Sequence, residues 1–440
     1  MSVEPHTLVV GGGVSGLRAA LDIDSRGFKV TLVEREPELG GNLAKLSTLF
    51  QDNEKASDVI ERMVMAARVS KNLTIMTDSE VVDVEGYIGN FDVTVKNNAT
   101  DKTEKLRVGA IIVATGFQSW VPEGIPPYGM SPDVITLAQL EEMKRDNKVL
   151  CPSSGKLPKK VMFVGCVGSR QPGVQGHEHC SRYCCTAMVK AAADMTEIGD
   201  DILILYDDIR TFGKGHEEVH RSAHEKFVIF SRFDRTKPAK TTVADGALSV
   251  KWRDILSGDD LEFHPDLLVL ATAMMPPEGV EKVSHLFSLT RSADGFFNEE
   301  HIKLAPLTTH TAGVMIAGAA QSAKDSTDST TQASGAAAKA TSLMAQGEVE
   351  IESTVAYVLE ELCSSCHTCA TACPYGAISM DTSKKPEIAV VTEAECHGCG
   401  TCAAGCPSSA IIMRHSTDEQ ITAMVEAFLM PPPVTGGGDS

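Results

Sequence analysis

Eight cysteines near the C-terminus repeat one spacing twice. Each copy has the form C-x-x-C-x-x-C-x-x-x-C-P, and the fourth cysteine of each copy precedes Pro374 or Pro407. Soft thiolates suit iron–sulfur chemistry, and two-residue gaps let a short loop wrap one cluster. The pattern therefore predicts two 4Fe-4S clusters and the transfer of single electrons. A pair of zinc sites is the alternative, although zinc does not usually need four cysteines in this doubled register.

The spacing also predicts which cysteines share a cluster. In bacterial two-cluster ferredoxins the fourth cysteine of each run ligates the other cluster. The first cluster is thus expected on Cys363, Cys366, Cys369 and Cys406, and the second on Cys396, Cys399, Cys402 and Cys373.

A glycine-rich turn lies near the N-terminus. Gly11, Gly13 and Gly16 form G-x-G-x-x-G between a short apolar strand and a helical segment. In this context the glycines let the backbone approach a pyrophosphate, whose charge the helix N-terminus attracts. A second predicted strand ends at Glu34, 18 residues after Gly16, about where a ribose-binding acid belongs. These features predict a Rossmann-type dinucleotide site.

Downstream segments favour FAD over NAD as the dinucleotide. Residues 40–42 (Gly-Gly-Asn) and 110–117 resemble flavoproteins of the glutathione-reductase type, and 313–320 resembles their second FAD segment. That last segment lacks the usual ribitol-binding aspartate. The cofactor-binding candidates are Gly11, Gly13, Ser15, Gly16, Glu34, Arg35, Gly41, Asn42, Ala114, Thr115, Gly116, Gly318, Ala319 and Gln321.

Composition narrows the class of protein. The chain has 440 residues, enough for two or three domains, and a formal net charge of −19, which argues against nucleic-acid binding. No apolar stretch approaches the ~20 residues of a membrane span, and no signal peptide is evident. Thirteen cysteines in such a chain suggest ligation rather than disulfides, and a cytoplasmic location.

Four more cysteines lie in the middle of the chain, where a second dinucleotide fingerprint is expected. Residues 165–170 follow a predicted strand but lack the glycine spacing. Instead the segment contributes Cys166, Cys180, Cys184 and Cys185, a thiolate set that matches a cluster. A zinc site, ligation by His177 or His179, or small buried cysteines on a helix starting near Cys180 are the alternatives.

The chain resembles the family of heterodisulfide reductase A-type subunits. The resemblance rests on Cys166 with residues 180–185, on 207–215 and on 319–325, and it extends from about residue 6 to about residue 415. It implies an α/β, thioredoxin-reductase-like flavoprotein core whose second Rossmann-like domain binds no NAD(P)H. It also implies a third 4Fe-4S cluster on the four middle cysteines. The chain resembles a shortened variant without the N-terminal cluster domain, and residues 46–57 lack a C-x-x-C pair.

The expected organisation has four parts. Residues 1–150 and 290–346 form the FAD domain, 151–289 the inserted domain, 353–415 an α+β ferredoxin domain, and 416–440 a helix and a disordered tail. Lys214, Lys324 and Arg210 are candidates for cations near the flavin, where a positive charge stabilises the reduced ring; surface positions are the alternative.

The predicted function is that of an oxidoreductase subunit in a heterodisulfide-reductase-like complex. Its FAD converts electron pairs into single electrons, with flavin-based bifurcation left open, and its clusters pass them to partners. Expected partners are the B- and C-type subunits of heterodisulfide reductase, hydrogenase- or dehydrogenase-linked subunits and ferredoxin. The expected assembly has several subunits, and a dimeric complex is one option. The alternatives are a stand-alone NAD(P)H:ferredoxin-type oxidoreductase and a wiring subunit with a vestigial flavin site.

Overall fold

Short runs of valine, isoleucine and leucine form the central strands of the unit Val3–Gly347. The computed structural model describes residues 1–50, 53–174, 177–350 and 353–429. The strands of this unit are β1 (His6–Val10), β2 (Lys29–Val33), β3 (Leu73–Met76), β4 (Ser79–Tyr87), β5 (Asn90–Asn97), β6 (Thr103–Val108), β7 (Ala110–Val113), β8 (Gln118–Ser119), β9 (Val134–Thr136), β10 (Lys160–Val167), β11 (Asp201–Tyr206), β12 (Ile229–Arg232), β13 (Lys240–Ala244), β14 (Ala247–Arg253), β15 (Asp260–Phe263), β16 (Leu267–Thr272), β17 (Met274–Met275) and β18 (Val314–Ile316). Its helices are α1 (Val14–Asp24), α2 (Ala56–Val69), α3 (Leu137–Arg145), α4 (Cys184–Met195), α5 (His216–Glu225), α6 (Val280–Leu286) and α7 (Ser326–Gln346).

The first sheet is parallel, with the strand order β18-β7-β1-β2-β3. Leu8 in β1 pairs with Thr31 in β2 and Ile111 in β7, and both apolar side chains are fully buried. Parallel sheets need cover on both faces. Helices α1 and α7 pack together, and the antiparallel strands β4, β5 and β6 form a smaller sheet. This layer carries the glycine turn at the carboxyl end of β1.

The second sheet is also parallel, in the order β12-β11-β10-β16-β9. Phe163, Ile204 and Val269 share its core with apolar residues of α4. One of its edge strands is β9, which pairs with β16, so residues before 151 contribute to this sheet. The expected boundary after residue 150 therefore lies beyond β9, which is three residues long.

Two short antiparallel strands pair where the chain leaves the first layer and where it returns to that layer. Gln118 in β8 pairs with Met275 in β17, and Ser119 pairs with Met274. Phe117, which precedes β8, and Met274, which lies in β17, line the cleft described below.

The second unit comprises the residues from Glu348 onward together with Met1–Ser2. Its strands are β19 (Ala356–Val358), β20 (Ile378–Asp381), β21 (Ile388–Val391) and β22 (Ile411–Met413), and its helices are α8 (Thr368–Ala372), α9 (Thr401–Ala404) and α10 (Asp418–Leu429). β19 pairs with β22 and β20 with β21. The helix expected within 416–440 is α10, whereas the expected tail, 430–440, lies outside the described residues.

Candidate functional site

Two glycines of the N-terminal turn are required by close packing. A Cβ on Gly11, whose φ is +108°, would lie 2.4 Å from the carbonyl oxygen of Ala114, and a Cβ on Gly16 would lie 1.8 Å from the carbonyl oxygen of Gly11. Gly13 differs, because its φ is −75° and a Cβ there would meet only the Cα of Gly41, at 3.9 Å. Gly13 therefore faces open space at the start of α1, as a phosphate-binding turn requires.

The carboxylate of Glu34 is fixed beside this turn. Its Oε2 accepts a hydrogen bond from the backbone N–H of Gly12 at 2.5 Å, and its Oε1 accepts one from the N–H of Glu36 at 2.9 Å. The residue is buried at the end of β2. By contrast, the neighbouring Arg35 is exposed, pairs with Glu36 at 3.3 Å and donates to the carbonyl of Glu278. Arg35 thus lies on the surface rather than in the cleft.

A cleft of about 230 Å³ opens from the glycine turn. Six of the predicted cofactor-binding residues line it: Gly13, Ser15, Asn42, Ala114, Gly116 and Ala319. Asn42 is held by a 2.6 Å hydrogen bond from its Nδ2 to the carbonyl of Phe117. Gly318 supports the wall, since a Cβ there would lie 2.0 Å from Ser15 Oγ. Gln321 points to Glu299, at 2.8 Å.

The residues present fit a dinucleotide such as FAD. The open space beside Gly13 is where a pyrophosphate approaches the backbone. Next to the lining residues Ala114 and Gly116, Thr115 Oγ1 is buried without a hydrogen-bond partner among the described residues. Buried polar atoms are normally paired, so this hydroxyl is available to a bound group. Glu34 stands at the position of the ribose-binding acid.

Of the three predicted flavin-proximal cations, Lys324 lines the cleft. Its buried Nζ donates to Gly318 O, Gln321 Oε1 and Gln332 Oε1 at 2.6–2.9 Å. Burial, with a smaller effect of Arg182, lowers the pKa of Lys324 to about 8. Arg210 pairs instead with Asp208 at 3.1 Å, and Lys214 is exposed.

The rest of the cleft wall was not predicted from the sequence. It includes Thr48, Phe50, Tyr183, Thr186, Lys190, His216, Asp325 and Ser329. Thr186 and Lys190 lie one turn apart on α4, and a hydrogen bond of 2.8 Å joins Thr186 Oγ1 to His216 Nδ1. His216 Nε2 lies 3.4 Å from Asp325 Oδ2. The i, i+4 spacing of polar residues on α4, between apolar neighbours, was the one signal in the sequence.

The four middle cysteines come together at the end of β10 and the start of α4, which begins at Cys184 rather than near Cys180. A hydrogen bond with Cys185, together with burial, raises the pKa of Cys184, and Cys166 and Cys180 raise it further. The same Cys184–Cys185 hydrogen bond lowers the pKa of Cys185 to about 7. The other three thiols are therefore all within electrostatic reach of Cys184, as the donor set of one cluster must be.

The two histidines beside these cysteines each use one ring nitrogen elsewhere, while His179 Nδ1 is buried without a hydrogen-bond partner among the described residues. His177 Nδ1 lies 2.6 Å from Gly168 O, and His179 Nε2 lies 2.9 Å from Met274 O. Each ring thus has one nitrogen bound to a backbone carbonyl. His177 also packs edge-on against Trp120.

The eight C-terminal cysteines line two small cavities. One is lined by Cys363, Cys366, Cys369 and Cys406, and the other by Cys373, Cys396, Cys399 and Cys402. The two halves repeat one local geometry. Hydrogen bonds from Thr368 lower the pKa of Cys366, and hydrogen bonds from Thr401 lower that of Cys399, at the starts of α8 and α9. Each cavity therefore combines three cysteines of one run with the fourth of the other.

Within the described residues, no three histidine, cysteine or acidic side chains converge as they would on one metal ion. No helix in the described part of the chain is long and apolar enough to cross a membrane.

Comparison with known proteins identifies relatives of both units. Residues 5–181 match the family described as pyridine nucleotide-disulphide oxidoreductase, and residues 362–410 match the 4Fe-4S dicluster domain. The first A-type iron-sulfur subunit of the CoB–CoM heterodisulfide reductase of Methanopyrus kandleri is 34% identical over 86% of this chain and 70% of its own length. The A-type subunit of the H2:CoB-CoM heterodisulfide,ferredoxin reductase of Methanothermobacter marburgensis is 35% identical over 87% of this chain and 70% of its own length.

Solved structures confirm the predicted thioredoxin-reductase-like core. Thioredoxin reductase from T. acidophilum covers 77% of this chain and 99% of its own, with a TM-score of 0.51 and 17% identity. The enzyme from Lactococcus lactis covers 78% of this chain and 100% of its own, with a TM-score of 0.53 and 16% identity. The predicted flavoprotein core with a C-terminal dicluster domain is therefore correct.

Proposed function

Because the chain belongs to the family of heterodisulfide reductase A-type subunits, we propose that it is the electron-transfer subunit of a heterodisulfide-reductase-like complex, with FAD and three 4Fe-4S clusters. The observation that carries this proposal is the combination on one chain of a dinucleotide cleft and twelve cysteines in three groups of four. When bound, FAD exchanges electron pairs or single electrons, and clusters exchange single electrons.

The cleft residues hold the FAD. The backbone at Gly13 and the N-terminus of α1 bind the pyrophosphate, and Glu34 binds a ribose. Lys324 supplies positive charge to the cleft below pH 8, which favours the reduced, anionic ring. Asn42 and Ala319 orient the group along the wall. Arg35, Arg210 and Lys214 do not line this cleft in the described part of the chain.

The cysteine groups hold the clusters. The C-terminal cavities hold two, with the fourth cysteine of each run crossing to the other cavity. The third lies on Cys166, Cys180, Cys184 and Cys185. Hydrogen bonds at the starts of α8 and α9 favour the thiolates of Cys366 and Cys399, the form in which cysteine binds iron.

The inserted domain binds no nicotinamide cofactor. Where a second glycine fingerprint is expected, at the end of β10, stands Cys166. A Cβ on the nearby Gly168 would lie 2.3 Å from the ring of Trp120, so this glycine serves close packing and does not face open space as Gly13 does. This contrast favours the proposed electron-transfer role over the stand-alone NAD(P)H:ferredoxin-type oxidoreductase.

Partner subunits complete the reaction. Two relatives are named as subunits of reductases that act on the CoB–CoM heterodisulfide, one with ferredoxin. We propose that redox subunits of this kind and ferredoxin exchange electrons with this chain, and that a partner binds the terminal acceptor. Bifurcation at the FAD would divide each electron pair between two such partners.

Anaerobic purification of the intact chain tests the proposal. We expect FAD on acid extraction and about twelve iron atoms per chain, four per cluster. Dithionite or reduced ferredoxin should bleach the flavin, and NADH or NADPH should not. Removing residues 353–440 should slow reduction by ferredoxin while FAD stays bound. Rapid stoichiometric bleaching by NADPH would establish the stand-alone oxidoreductase, and an extract without FAD would establish the wiring subunit.

A further inference from the structure

An arginine side chain contacts the middle cysteine group directly. Arg170 Nη1 donates a hydrogen bond to Cys166 Sγ at 3.8 Å. The side chain is only 21% exposed, so solvent screens its charge little. This is a fixed cation against a proposed cluster ligand.

Two aspartates and a second arginine hold this guanidinium in place. Arg170 pairs with Asp207 at 3.4 Å and with Asp208 at 3.6 Å. Arg235 pairs with Asp207 at 3.3 Å and donates to the carbonyl oxygens of Ser169 and Arg170. The segment that carries these aspartates also contacts the cysteine group, because Cys185 Sγ lies 3.8 Å from Asp208 O.

The charges around this group do not cancel. Arg210, which pairs with Asp208, brings the cluster of ion pairs to three arginines and two aspartates. The net charge of these five side chains is +1. The excess positive charge lies beside Cys166 and Cys180, which Arg170 and Arg210 face.

The C-terminal cavities are different. Their described lining residues include no lysine or arginine. Their sulfurs accept hydrogen bonds from neutral groups, such as the N–H of Ala356 to Cys396 at 3.4 Å and that of Ala410 to Cys406 at 3.3 Å. Reduction adds one negative charge to a cluster and its thiolates, and nearby positive charge and hydrogen bonds to sulfur favour it.

We propose that Arg170 is a positioning residue that raises the reduction potential of the middle cluster above those of the two C-terminal clusters. The middle cluster is then the site on this chain where a single electron, delivered by reduced ferredoxin or dithionite, comes to rest. This inference rests on the proposed third cluster.

The test is an EPR-monitored redox titration of the anaerobically purified, full-length chain. The signal of the middle cluster is the one that disappears in Cys184→Ser. In wild type it should have the highest midpoint potential of the three. Arg170→Gln should lower the equilibrium constant for reduction of the middle cluster about tenfold. This corresponds to a fall in its midpoint potential of about 59 mV for a one-electron couple. In Arg170→Lys, which keeps the charge, the midpoint potential of the middle cluster should fall by less.

Arg253→Gln is the matched control. This exposed arginine pairs with Asp260 on a hairpin, and its loss should leave all three potentials unchanged. If Arg170→Gln loses the middle cluster, the midpoint potential is measured in Arg235→Gln instead. That variant removes a cation but keeps the contact between Arg170 and Cys166. A lower midpoint in that variant supports the inference. Unchanged midpoints with twelve irons overturn it, whereas eight irons in wild type overturn the third cluster itself.

Discussion

Lys190 on α4 donates a hydrogen bond to Thr48 at 2.6 Å, so a helix of the second sheet contributes directly to the wall of the cleft that opens from the first. The same ammonium lies 2.9 Å from Asp194, and Asp194 lies 2.7 Å from Lys144 of α3. Lys144 in turn pairs with Glu141 at 2.8 Å. These four charges tie α3 and α4 together beside the cleft.

Asp194 is the residue on which this network depends, because it alone bridges two largely buried lysines. Although burial opposes it, Lys144 and Lys190 hold the pKa of Asp194 below its usual value. Asp194→Ala should reduce the free energy of unfolding by about 3 kcal/mol, measured by anaerobic denaturant unfolding. Lys190→Met should reduce the free energy of unfolding by less, because Asp194 keeps its ion pair with Lys144. The exposed Glu197, just beyond the same helix, is the control, and an equal loss in Glu197→Ala would contradict this account.

Gly13→Val should release the FAD without unfolding the chain. The backbone at Gly13 suits any residue and the new side chain meets no wall, but it fills the space required by the pyrophosphate. We expect most of the flavin to be lost on gel filtration, with unchanged circular dichroism and iron content.

Gly27→Ala is the control for Gly13→Val. It lies past the end of α1, with a φ of +82° and no neighbour within 4 Å. It should cost about 1 kcal/mol of stability and keep its FAD. Full FAD occupancy in Gly13→Val would show that the dinucleotide lies elsewhere.

Cysteine pairs should reveal the crossed ligation. Cys406 lines the cavity of Cys363, so both single serine variants should lose the same cluster, and the double variant should lose no more iron, about four atoms. Cys373→Ser combined with Cys406→Ser should lose about eight. Iron assay and EPR check both. Cys151→Ser, a buried thiol outside the three groups, should change nothing. If Cys363→Ser combined with Cys406→Ser loses both C-terminal clusters, each run holds its own cluster.

Lys324 should make stability depend on pH. Its pKa is about 8 in the folded chain and about 10.4 in the unfolded one, so the unfolded state binds more protons between these values. The free energy of unfolding should therefore rise with pH through this window. Relative to Lys324→Met, wild type should gain about 2 kcal/mol between pH 8 and 9.5.

Thermal midpoints of both chains at the two pH values measure this gain. Lys339→Met, at an exposed position on the same helix, is the matched control and should track wild type. A constant difference between wild type and Lys324→Met would show that the ammonium is not destabilised by burial.

Local patterns in the sequence were sufficient for the motifs of the predicted cofactors. A phosphate turn is a run of six residues, and three of the four ligands of each C-terminal cluster lie within seven residues. Such sites are built by one loop and one helix start, so their spacing alone indicates the chemistry. The thioredoxin-reductase-like core was implied by the resemblance to the heterodisulfide reductase A-type family, and the solved structures confirm it. The cofactor-site assignments themselves stay predictions.

Tertiary structure decided which distant side chains meet. Lys190 meets Thr48 and His216 meets Asp325 because the two sheets and their helices pack together. Arg170 meets Asp207 because β10 and β11 are neighbours in one sheet. Lys324 and Arg210 looked equivalent in the sequence, yet one lines the cleft and the other faces the middle cysteines. Contacts of this kind join residues far apart in the chain and depend on side-chain direction, for which no local spacing rule exists.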